Sequence, residues 1–161
     1  MIKARLSVSI ALFVIVTDQL TKFLIRTNLA LHEKIRVLPF LDIVHYQNSG
    51  AAFGILNSLD ERLRMGFFVF VLIVAAVVLV ALMRKASEDN KLLISALSMI
   101  LGGAIGNSMD RIYAGSVTDF LDLHWFGHQK LHWAAFNISD CAITVGVAIV
   151  LYDTFRSARA G

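Results

Sequence analysis

The chain has 161 residues, 57% hydrophobic and only 17% charged, and its mean hydropathy is +0.69; ordinary soluble domains are roughly 45–50% apolar and about 25% charged. That balance excludes an ordinary soluble domain, and the 15 Lys and Arg behind the net charge of +3 lie scattered between apolar blocks, with no basic stripe for nucleic acid. A single cysteine, Cys141, excludes an intrachain disulfide, a zinc ribbon or a CxxC redox pair.

Four apolar blocks long enough to cross a hydrocarbon core occupy about half of the chain, which predicts one membrane domain over 1–161. The first, 6–26, follows a basic start resembling a secretory signal. No small-x-small cleavage site follows it, so a retained span is expected. The connection 27–65 has a strand-like stretch at 35–46, then turn-prone Asn48, Ser49 and Gly50, which predicts a small sheet on the membrane surface. The second span, 66–83, is wholly uncharged and ends at Arg84 and Lys85.

The third span, 92–112, carries Ser98, Gly102 and Gly106 at steps of four, a small-residue stripe that lets helices approach closely. The connection 113–133 holds Trp125, Phe126 and Trp133, rings suited to the headgroup level. The fourth span is expected at 134–152. The termini and the 84–91 turn hold seven Lys and Arg, against five in the two much longer connections. Termini inside and long loops outside is therefore the expected orientation.

Ionisable groups within spans cost at least about 2.5–3.5 kcal/mol each, so every one needs a partner or a purpose. Asp18 has Lys22 one turn on and can pair with it. Asp110 and Arg111 close the third span, with Asn107 on the face of Arg111, and Asp119 follows just beyond. Asp140 is expected about 9 Å inside the fourth span, with no basic residue within a turn and only Asn137 on its face. If the third and fourth spans pack together, Asp119 and Asp140 face one another below the outer interface. Two carboxylates sharing a proton can activate water and polarise a carbonyl, the logic of an aspartic protease. His124, His128 and His132 imitate a metal face without HExxH, and Cys141 lacks a local activating base. No metal or other cofactor is expected. An alternative is a proton- or ion-coupled transporter, since intramembrane carboxylates also make relays.

The motifs DQLTK (18–22), NSGAAF (48–53), GNSMDR (106–111) leading to VTDF (117–120), and FNISD (136–140) resemble, in order, those of bacterial lipoprotein signal peptidase, signal peptidase II. The resemblance spans essentially the whole chain. It implies a four-span α-helical enzyme of the bacterial inner membrane with a small extracytoplasmic β-sheet cradle, which cuts diacylglyceryl-modified prolipoproteins just before the lipidated cysteine. It implies Asp119 and Asp140 as the catalytic dyad and Asn48, Asn107, Asp110, Arg111 and Asn137 as residues that shape the site or contact substrate. Asp18 matches an acidic position important for stability or activity. It also implies inhibition by cyclic lipopeptides of the globomycin type and contact with membrane lipid. Ser139 stands where many members have alanine, a departure that bears on local packing.

Overall fold

The computed structural model describes residues 2–50, 60–124 and 133–160. Four helices, α1 (Ile2–Asn28), α2 (Glu61–Lys85), α3 (Lys91–Ala114) and α4 (Ile138–Ala160), are joined by strands β1 (Lys34–Leu38), β2 (Leu41–Asn48) and β3 (Val117–Leu123). All four helices are long and apolar enough to cross a membrane. Local signals set several ends: Asp60 accepts from the N–H of Arg62 at the start of α2, Asn90 accepts from Leu93 at the start of α3, and Gly115, at φ 70°, closes α3 in the left-handed region.

α3 is the central helix, packed on α1, α2 and α4. Its small residues permit this: a Cβ on Gly102 would lie 2.9 Å from the Ala11 carbonyl oxygen, and one on Gly103 would lie 2.5 Å from that of Ser139. Of the expected stripe, Gly102 thus serves α1 and Gly106 serves both α1 and α4, while Gly103 serves α4. α2 is more peripheral; Leu79 and Met83 pack on Leu97 of α3, while Phe70, Ile73 and Val77 stay exposed on an apolar face suited to lipid.

The antiparallel sheet has the order β1-β2-β3, with Tyr46 opposite Asp119 and Asn48 opposite Val117. The first connection supplies only two of its strands; the third comes from the second connection, where the sequence reading had no strand. β3 is buried at five of seven positions, so it lacks the alternation that marks a half-buried strand. Next to it, Phe136 pairs with Leu121, its N–H donating to the Leu121 carbonyl at 3.0 Å.

This corrects the fourth span. Its helix begins at Ile138, not Ala134, because the backbone at Phe136 is engaged by β3. Asp140 therefore lies in the first turn of α4 instead of deep within a helix. Trp133 is exposed as expected of an interfacial ring, whereas Trp125 and Phe126 lie outside the described residues. At the opposite end of the bundle, Lys3 Nζ donates to the carbonyls of Arg84 and Ala86 and ties the start of α1 to the end of α2.

Candidate active site

The C-terminal ends of α1 and α3, the N-terminal end of α4 and the sheet converge at one end of the bundle. Asn137 precedes α4, and its side-chain oxygen accepts from the N–H of Asp140 at 3.0 Å while an Asp140 carboxylate oxygen accepts from the N–H of Asn137 at 3.2 Å. This reciprocal pair is a capping box built from Asn and Asp. It satisfies two backbone donors and fixes the Asp140 carboxylate at the helix mouth.

The same Asn137 reaches the other acid. Its Nδ2 donates to Asp119 Oδ1 at 2.7 Å, and Asn48 Nδ2 donates to Asp119 Oδ2 at 3.2 Å. Asn107 Nδ2 donates to Asp140 Oδ1 at 2.8 Å. Both carboxylates are thus held by neutral N–H donors, and neither makes an ion pair among the described residues. Asp119 is 4% exposed, and burial, then the charge of Asp140, push its carboxyl up to about 6 against the opposing bonds from Asn137 and Asn48. A carboxyl raised toward neutrality beside a second carboxylate can provide an acid and a base at one place.

A knot of charge lies behind this pair. Lys22, fully buried, contacts Asp18 at 2.8 Å and Asp110 at 3.4 Å, and donates to Asn107 Oδ1 at 3.0 Å. With its oxygen held by the ammonium, the Asn107 amide must turn its NH2 toward Asp140. Asp18 accepts from the N–H of Ser139 at 2.9 Å, so it also secures the first turn of α4. Asp110 accepts from the N–H of Thr118 at 3.0 Å and pairs with Arg26 at 3.3 Å, which anchors β3 one residue before Asp119. Gly106 leaves room for all this, since a Cβ there would lie 2.4 Å from Ser139 Oγ and 2.8 Å from Asp18 Oδ2.

Arg111 lies at the rim. Its guanidinium stacks 4.1 Å from the Phe68 ring centroid and donates to the carbonyls of Asn107 at 3.3 Å and Gly50 at 3.4 Å. Asn107 and Arg111, on one face of α3, therefore serve different ends: Asn107 serves a carboxylate, and Arg111 ties α3 to α2 and to the residues just after β2. The remainder of the NSGAAF motif, 51–53, lies outside the described residues, as do His128 and His132. His124 Nε2 stands 2.9 Å from Asp42 Oδ2 on the sheet. There burial works against the Asp42 charge, yet the bond from Lys34 together with the charges of Lys34, His124 and Arg36 outweighs it and holds Asp42 below the usual carboxylate range.

The Asp18–Lys22 pair was legible from its spacing. The reach of Lys22 to Asn107, of Asp18 to Ser139 and of Asp110 to Thr118 was not, because these partners are 85, 121 and 8 residues apart.

Comparison with known proteins gives a consistent result. A family model described as "Signal peptidase (SPase) II" matches residues 10–156. The lipoprotein signal peptidase of Syntrophotalea carbinolica is 46% identical over 153 residues, 94% of this chain and 92% of that protein. The Staphylococcus aureus lipoprotein signal peptidase is 37% identical over 146 residues, 90% of this chain and 85% of that protein. Two solved structures titled as a bacterial membrane enzyme superpose with TM-scores of 0.82 and 0.79 at 35% and 36% identity, covering 94% and 92% of this chain and 88% and 91% of theirs.

Proposed function

The chain belongs to the signal peptidase II family, multi-pass membrane aspartic peptidases that remove signal peptides from prolipoproteins, and on that premise we propose that Asp119 and Asp140 are its catalytic pair. The observation that carries the assignment is Asn137, which binds both carboxylates while neutral amides supply their other contacts. The transporter reading finds no support in the relatives named above and is set aside.

Asp119 carries the proton, in keeping with its raised carboxyl, and Asp140 is the base at the N-terminal end of α4, where the helix dipole favours negative charge. Asp140 removes a proton from a water molecule whose oxygen attacks the scissile carbonyl carbon, and Asp119 donates its proton to the carbonyl oxygen. A neutral gem-diol results. On collapse, Asp119 takes back a proton from one hydroxyl, the C–N bond breaks, and Asp140 protonates the leaving amine. The two carboxyls end as they began, and the chemistry requires no metal.

The substrate is cut just before a diacylglyceryl-modified cysteine whose lipid is held by the bilayer at the depth of the dyad. Asn48 and Arg111 lie at the sheet side of the site and position the substrate backbone. Family membership supports a bacterial cytoplasmic membrane location, and the Lys and Arg distribution supports both termini in the cytoplasm and the dyad near the extracytoplasmic interface. A cyclic lipopeptide of the globomycin type competes for this site, and nucleic acid is not a partner.

The test is cleavage of a lipidated precursor by the purified protein in detergent, read by mobility shift. Activity that survives EDTA, falls sharply with the unlipidated precursor and stops on adding the lipopeptide supports the reading. Restoration of an EDTA-inactivated enzyme by zinc overturns the metal-free mechanism.

A further inference from the structure

We propose that the end of the bundle opposite the dyad binds one anionic diacyl phospholipid, seated astride α2 with its phosphate at Arg84 and Lys85. Two grooves flank this helix. One, of about 470 Å³, runs between α1, α2 and α3 along Val8, Val80, Met83 and Leu101, with Lys3, Arg84 and Glu88 at its mouth. The other, of about 570 Å³, lies along Val77, Val80, Ala81, Arg84 and Lys85. Both volumes are within the range of small-molecule clefts. Val80 and Arg84, one turn apart, line both grooves, so the ridge between them ends in a guanidinium. An apolar groove between helices and an open apolar face of α2, meeting at one cation, match two acyl chains meeting at one phosphate.

Charge decides among the occupants. Lys3 is spent on the Arg84 and Ala86 carbonyls, which satisfies the last turn of α2. Among the described residues, the side chains of Arg84 and Lys85 make no hydrogen bond or ion pair, and Glu88 makes no ion pair either. Both cations stand where the apolar span of α2 ends, at headgroup height. A signal peptide would bring a basic leading segment to this end and meet like charge. A lipid phosphate meets opposite charge, and each Lys or Arg near a bilayer surface favours an anionic lipid by about fivefold. The lipidated substrate is engaged at the other end, so this lipid does not compete with it.

Native mass spectrometry of the full-length protein, released from detergent with palmitoyl-oleoyl phosphatidylglycerol or phosphatidylcholine, tests the proposal. One phosphatidylglycerol should bind at least about tenfold more tightly than phosphatidylcholine. Arg84→Gln with Lys85→Gln should bring the two within twofold, while cleavage and thermal unfolding in detergent stay near those of the parent. Ala81→Trp, which fills the second groove, should weaken the diacyl lipid and spare the single-chain lysophosphatidylglycerol. Equal binding of the two headgroups by the parent protein overturns the proposal. So does an equal loss of preference in Arg5→Gln with Arg159→Gln, which removes the same charge away from the grooves, or a second copy of the chain in place of the lipid.

Discussion

Two groups of buried carboxylates share one end of this molecule and are treated in opposite ways. Asp18 and Asp110 are met by Lys22, and Asp110 also by Arg26, so their charges are compensated within the bundle. Asp119 and Asp140 receive N–H donors from Asn48, Asn107 and Asn137 and, among the described residues, make no ion pair. The first arrangement pairs carboxylates with cations, and these acids hold helix and strand termini. The second leaves a proton free to be exchanged, because an amide donor stabilises a carboxylate less than an ammonium does. Asn107 joins the two groups, accepting from Lys22 and donating to Asp140.

If that division is correct, the largest effect belongs to the dyad. Asp119→Asn or Asp140→Asn should each reduce cleavage of a lipidated precursor by roughly ten-thousandfold or more with membrane insertion intact, and the double variant should be little worse. Turnover within tenfold of the parent by either inserted single variant would break the comparison outright.

Lys22→Met should act on stability first. It leaves Asp18 and Asp110 with reduced compensation in a buried site, a loss of about 3–5 kcal/mol in thermal unfolding. Adding Asp18→Asn should recover part of it. A Lys22→Met protein as stable as the parent would show that the knot is not what holds this end together.

Asp119→Asn has an opposite, pH-dependent effect on stability. The native carboxyl is raised from 3.8 to about 6, so its favourable contribution is complete below about pH 4 and is lost as pH rises through 6. The substitution should therefore stabilise the protein above about pH 6, by at most about 3 kcal/mol, and change little below about pH 4. Unfolding curves at several pH values read this directly, and a variant destabilised equally at all of them would refute a strained Asp119.

The smallest expected effect is that of Asn48→Ala. Losing one donor to Asp119 should lower cleavage by about five- to thirtyfold. Because that bond favours the ionised form, its loss should move the alkaline limb of the pH profile upward, a shift that a purely structural role would not produce.

Much of this was legible in the sequence because the signals are local. Hydropathy over some twenty residues marks a span, a step of four sets Asp18 beside Lys22, and a step of three sets Asn137 beside Asp140. The strand-like character of 35–46 was readable for the same reason, although the structure divides it between β1 and β2. The tertiary structure alone decided that β3 completes the sheet, since its nearly continuous burial hides the period of two. It decided that α4 starts at Ile138, because Phe136 pairs with a strand fifteen residues earlier. It also turned Asn107 toward Asp140, through an ammonium 85 positions away. Composition and periodicity determine which segments cross the bilayer and which carboxylates need an explanation; which of those acids is neutralised by a cation and which is left able to exchange a proton depends on contacts between elements distant in the chain.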